Sequence, residues 1–83
     1  MIYGLYAVKD AKSTYMPCIV DYNDASAVRN FEHAVQSPES LMRSHPNDYS
    51  LFKVGTFDNE TGLIAPSVSH VMLCDASSVL RGD

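Results

Sequence analysis

Apolar and polar positions alternate with a period of two along Ile2–Lys9, where Tyr3, Leu5 and Ala7 fall on one face and Ile2, Gly4, Tyr6 and Val8 on the other. That period is a strand's, and two largely apolar faces predict a strand covered on both sides, or covered on one and used for contact on the other. Asp10-Ala11-Lys12-Ser13 is short and polar enough to close a hairpin onto a second strand, Thr14–Asp21. Pro17 removes a ladder donor from that strand and so predicts an edge or a bulge.

The period then changes. Ala27, Val28, Phe31, Ala34 and Val35 recur at helical spacing, while Arg29, Asn30, Glu32, His33 and Gln36 take the opposite side. Asn23 or Asp24 can cap the free N–H groups at the start, and Pro38 ends the helix. Ser37-Pro38-Glu39 reads as the start of a short second helix through Leu41, Met42 and Arg43, which Pro46 stops.

Tyr49–Phe57 is dense in aromatic and β-branched residues and reads as a third strand. Asp58-Asn59-Glu60-Thr61-Gly62 is a turn, in which Asp58 can accept loop N–H groups and Gly62 can take a positive φ. Leu63–Ala65 is the return strand, stopped by Pro66. Val68–Cys74 supplies an optional fifth strand, and Asp75–Asp83 a short helix or a flexible tail. The expected fold is one α+β domain over residues 1–83. It has a small antiparallel sheet of four or five strands (β-β-α-α-β-β) and packs one main helix and a short second helix on one face.

Eighty-three residues lie near the lower limit for a self-sufficient core. A stability of about 4–12 kcal/mol follows from the length, so self-association as a homodimer or higher oligomer is expected to bury further apolar surface. An apolar fraction of 46% argues against disorder. No run is long enough to span a membrane, and the opening residues lack the basic leader of a signal peptide. The formal charge of −4 and the scattered Lys and Arg residues weigh against a broad phosphate-binding surface.

Candidate chemistry is correspondingly narrow. His33, His45 and His70 have no metal-ligand spacing, and Cys18 and Cys74 lack a local base signature, so neither metal, cofactor nor catalytic group is expected. Aromatic rings on strands beside lysines can hold single-stranded nucleic acid by stacking on its bases. The candidate set is Tyr3, Tyr6, Lys9, Lys12, Tyr15, Tyr49, Lys53 and Phe57. Strict alternation puts Tyr49, Leu51, Lys53, Gly55 and Phe57 on one strand face and leaves Ser50, Phe52, Val54 and Thr56 for packing. The competing account places most of these rings in the core or a dimer interface.

Three blocks, IYGLYAVKDAKSTYMPC, DYNDASAVRNF and HPNDYSLFKVGTFDNETG, together resemble the small nonstructural protein of gokushoviruses, single-stranded DNA phages of the microvirus group. The resemblance covers about residues 2–66. It implies a non-enzymatic phage protein of the host bacterial cytoplasm, absent from the mature virion, that binds single-stranded DNA in replication or packaging. The acidic balance keeps an alternative open. It is a protein-interaction factor acting on capsid assembly, the replication initiator or a host protein without touching DNA.

Overall fold

The alternating opening stretch becomes β1 (Ile2–Asp10), an inner strand paired antiparallel with β2 (Ile19–Asp21) on one side and β3 (Tyr49–Asp58) on the other. A fourth strand, β4 (Ile64–Asp75), pairs with the far side of β3, giving the sheet order β2-β1-β3-β4. This computed structural model describes residues 1–82, and the expected α+β architecture is the one observed.

The chain leaves β1 through a tight turn in which Asp10 accepts the backbone N–H of Lys12 and its own N–H donates to the Thr14 carbonyl. The expected second strand, Thr14–Asp21, is shorter than its apolar residues implied. Tyr15 makes one bridge to Lys9, and regular pairing resumes only at Ile19. Pro17 lies in the gap, on the outer edge, where its missing donor leaves no inner ladder bond unmade.

Asn23 caps α1 (Asp24–Gln36) by accepting from the Ser26 N–H, and the helix buries Ala27, Phe31 and Val35 as the apolar stripe requires. Ser37 does not open the second helix as expected. Its N–H donates to the Ala34 carbonyl and closes α1, while Ser40 caps the single turn of α2 (Leu41–Ser44). A 3₁₀ turn, Pro46–Asp48, leads into β3.

The turn after β3 follows the sequence. Asp58 Oδ1 accepts the Glu60 N–H at 2.9 Å, the Gly62 N–H donates to the Asp58 carbonyl at 2.7 Å, and Gly62 sits at φ 77°. Pro66, however, does not stop the return strand. The two expected pieces, Leu63–Ala65 and Val68–Cys74, belong to one continuous β4, because that strand is an edge and a proline there removes no inner hydrogen bond. Between the pairs Gly55–Pro66 and Lys53–Val71, β4 advances five residues while β3 advances two, so the segment between them bulges outward.

Asp75 caps α3 (Ala76–Arg81), accepting the Ser78 N–H at 2.7 Å. Asp83, part of the tail reading, lies outside the described residues. The core gathers Tyr6, Tyr49 and Leu51 from the sheet, Ala27, Phe31 and Val35 from α1, and Ala76 and Val79 from α3. Each fully buried large side chain in it contributes about 1.5–3 kcal/mol. Among the described residues, the three helices therefore lie on one face of the sheet, and no helix covers the other.

Candidate nucleic-acid interface

The register decides which rings are available. Val8 pairs with Leu51 and Tyr6 with Lys53, but the next residue of β1, Leu5, pairs with Gly55. Val54 is therefore an extra residue, and the bulge reverses the phase of β3. Before it, Tyr49, Leu51 and Lys53 face the helices. After it, Gly55 and Phe57 face away from them, sharing the open face with Phe52. Strict alternation had grouped Tyr49, Lys53 and Phe57 and set Phe52 aside; one inserted residue corrects both assignments.

Two of the candidate rings are core. Tyr6 is wholly buried, and its hydroxyl donates to Asp24 Oδ1 at 2.7 Å. Tyr49 is 9% exposed. Neither can present a ring face to a base. Burial, joined by the Asp24 hydrogen bond and carboxylate, pushes the Tyr6 phenol far above its ordinary range. Burial and the carboxylates of Asp10 and Asp48 move Tyr49 in the same direction. Lys53, on the helix side, has its ammonium 3.6 Å from Asp24, so its charge is met within the fold. Lys12 lies in the first hairpin turn, beside a shallow hollow lined by His45, Pro46, Asn47 and Asp48.

Four candidates, Tyr3, Lys9, Tyr15 and Phe57, do reach the open face, joined by residues the sequence reading passed over. They form two ridges that cross the strands. In the first, Tyr3 pairs in register with Phe57, and Phe57 with Ile64; Tyr22 packs edge-on against Tyr3 with ring centroids 5.6 Å apart. Asn59 Nδ2 also donates to the Tyr3 hydroxyl.

In the second ridge, Ala7 pairs with Phe52 and Phe52 with Met72. Tyr15 reaches across from the sheet edge, its ring centroid 5.7 Å from that of Phe52 and 5.3 Å from that of His70. Its hydroxyl is hydrogen-bonded to His70 Nδ1 at 3.2 Å. The small side chain of Ala7 leaves room for this reach, and Ala7 is 5% exposed although no helix covers it. Lys9 Nζ lies 5.6 Å from the centre of the Tyr15 ring, a cation–π approach.

Between the ridges runs a low row in register, Val20, Leu5, Gly55 and Pro66, without a ring. Phe52, His70 and Tyr22 are the functional candidates that sequence reasoning missed. Tyr22 falls just past the expected second strand, His70 is one of three histidines without metal-ligand spacing, and strict alternation leaves Phe52 for packing.

Charge is divided between the two sides. In the open-face registers the one cation is Lys9, and the one carboxylate is Asp75, opposite Ser50 at the sheet's end. That carboxylate is occupied in capping α3, and the N–H of Ser78 and hydroxyl of Ser77 hold it below the usual range. Of the other described acids, Asp10, Asp21 and Asp58 end strands, Asp24 and Glu32 lie in α1, and Glu39, Asp48 and Glu60 lie in turns. Asp58 is held low first by the Glu60 N–H, and Asp21 by hydrogen bonds from Ser26, Tyr22 and Asn30. The net charge of −4 is therefore not spread over the aromatic face.

Cys74 is half-buried against the core, and burial, aided by Glu32 and Asp75, pushes its thiol up to about 11, which suits an inert packing group. Among the described residues, no group of three or more His, Cys, Asp or Glu side chains could hold a metal ion, and no helix is long and apolar enough to cross a membrane.

A family model described as Phage ORF5 protein matches residues 3–79. No curated protein and no solved structure matches the chain significantly.

Proposed function

The chain belongs to the Phage ORF5 protein family, and from that membership we propose a nonstructural protein of gokushovirus-type phages that binds single-stranded DNA on its open sheet face. It acts without catalysis, in the bacterial cytoplasm, during viral DNA replication or packaging. The observation that carries this reading is the aromatic ridge of Tyr15, Phe52 and His70 with Lys9 beside it, on a face whose paired positions among the described residues hold no carboxylate but the helix-capping Asp75.

Each base stacked on a protein ring is worth about 1–3 kcal/mol whatever its identity, which suits an unspecific single-strand binder. One lysine neutralises about one phosphate, so the logarithm of affinity falls with that of salt at a slope near −0.7, shallow for a DNA-binding protein. Stacking therefore dominates and salt tunes it weakly. Titration of the purified protein with a single-stranded oligonucleotide at low and moderate salt tests the reading. Saturable, mildly salt-sensitive binding is expected, and its absence at high micromolar protein overturns it.

A second reading rests on β4, the long edge strand. Ile64, Val71 and Met72 are each more than half exposed on it, and Leu63–Cys74 carries no Lys, Arg, Asp or Glu. An uncharged apolar edge on an acidic protein suits a protein partner. That partner is a second copy, the capsid-assembly or initiation machinery, or a host protein. Recovery of no viral or host partner from nuclease-treated infected cells, with a monomeric mass in solution, removes this reading.

A further inference from the structure

Resting on the DNA-binding reading above, we infer that one copy engages a single strand lying parallel to β1 at two separate stations, so that full affinity requires a minimum length. The first station is the ridge of Tyr3, Tyr22 and Phe57, and the second that of Tyr15 and Phe52. Tyr3 and Ala7, which mark the two ridges along β1, are four residues apart, or ~13 Å at a strand's rise. The row between them, Leu5 and Gly55 among its members, offers no ring. A base there passes over a trough and gains little.

At ~3.4 Å per stacked nucleotide, ~13 Å corresponds to four steps, or about five nucleotides from one ridge to the other. A strand shorter than that occupies one ridge only. The position of Lys9 beyond the second ridge gives the path a cationic end, where a phosphate flanking the Tyr15-stacked base comes to rest.

The test is a titration of the whole chain with oligothymidylates of two, three, five and eight nucleotides. It is followed by tyrosine fluorescence, since the chain has five tyrosines and no tryptophan. Affinity is expected to rise about five- to a hundred-fold from two to five nucleotides and then level off, as the second station adds one stacked base. In Tyr22→Ala, at a residue 67% exposed and outside the core, the rise from two to five nucleotides shrinks. Tyr3→Ala, with folding checked by thermal melting, has the same effect.

A dinucleotide that binds as tightly as the octamer overturns the two-station arrangement and leaves single-station binding standing. So does a full rise retained in both variants. Failure of every length to bind overturns the DNA reading itself, and the inference with it.

Discussion

Replacing Gly4 by alanine pits local propensity against packing, and the two predict opposite signs. In a strand, Gly→Ala is ordinarily stabilising by about 0.5–1 kcal/mol, because glycine surrenders more conformational freedom on folding. Here the Tyr6 side chain lies back over Gly4. A Cβ added there would fall inside van der Waals contact with Oη and Cζ of that ring, and 2.5 Å from Cε2.

Tyr6 cannot simply yield. It is 0% exposed, and its hydroxyl donates to Asp24 at 2.7 Å. Overpacking costs about 1–3 kcal/mol, and pulling the hydroxyl from a charged acceptor about 1.5–3 kcal/mol more. Asp24 is half exposed and recovers part of that loss from water, so Gly4→Ala is expected to destabilise by about 2–4 kcal/mol. At about 4–8 °C per kcal/mol for a chain of this size, the melting temperature falls by about 10–30 °C.

Urea unfolding followed by tyrosine near-UV circular dichroism measures the loss. A cycle with Tyr6→Phe tests its cause, since removing Oη takes away the closest atom. Gly4→Ala should therefore cost about 1 kcal/mol less in the Tyr6→Phe background than in the wild type. A stabilising Gly4→Ala, or one equally costly in both backgrounds, would refute the account of how Tyr6 is seated.

Other consequences concern the caps and the ionisable groups. Asp75→Ala should cost about 0.5–2 kcal/mol by uncapping α3 and loosening Ala76 and Val79, with faster amide exchange in residues 76–81. Asp21, Asp58 and Asp75 have folded pKa values below the ordinary carboxylate value. The stability they confer is thus present above about pH 4 and lost as pH falls through the folded values; acid denaturation should shift to higher pH in Asp75→Asn. Tyr6 has its folded pKa raised, so its contribution is full below about pH 10 and lost as pH climbs beyond. A stability midpoint unchanged from pH 9 to 12 would contradict this. With Cys18 exposed and the Cys74 thiol pushed up to about 11, a thiol reagent at pH 8 should label Cys18 in the native protein and Cys74 only after unfolding.

The helix α1, the Asp58–Gly62 turn and the opening strand β1 could all be read from the chain, because each rests on local chemistry. Asn23 caps, Gly62 takes positive φ, and the Phe31 stripe has a helical period. What escaped the sequence depended on neighbours. Whether Pro66 ends a strand turns on whether that strand is an edge, which the sheet order alone decides. Which rings face outward turned on a single extra residue, Val54, set by the pairing of Leu5 with Gly55. Tyr6 and Tyr49 looked like available rings because nothing local distinguishes an exposed strand tyrosine from one beneath a helix. Tyr15 and His70, 55 residues apart, meet only through the fold.

The most direct test of the open-face account is the affinity of the chain for a single-stranded oligonucleotide, compared with those of Tyr15→Ala and Lys9→Gln across a range of salt. Both variants lie outside the core and should fold as the wild type does. Saturable binding is predicted for the wild type, with Tyr15→Ala weaker by about five- to a hundred-fold. In Lys9→Gln the log–log salt slope should shrink in magnitude by about 0.7. Wild-type protein that binds no single strand, or that binds equally well without Tyr15, would contradict it.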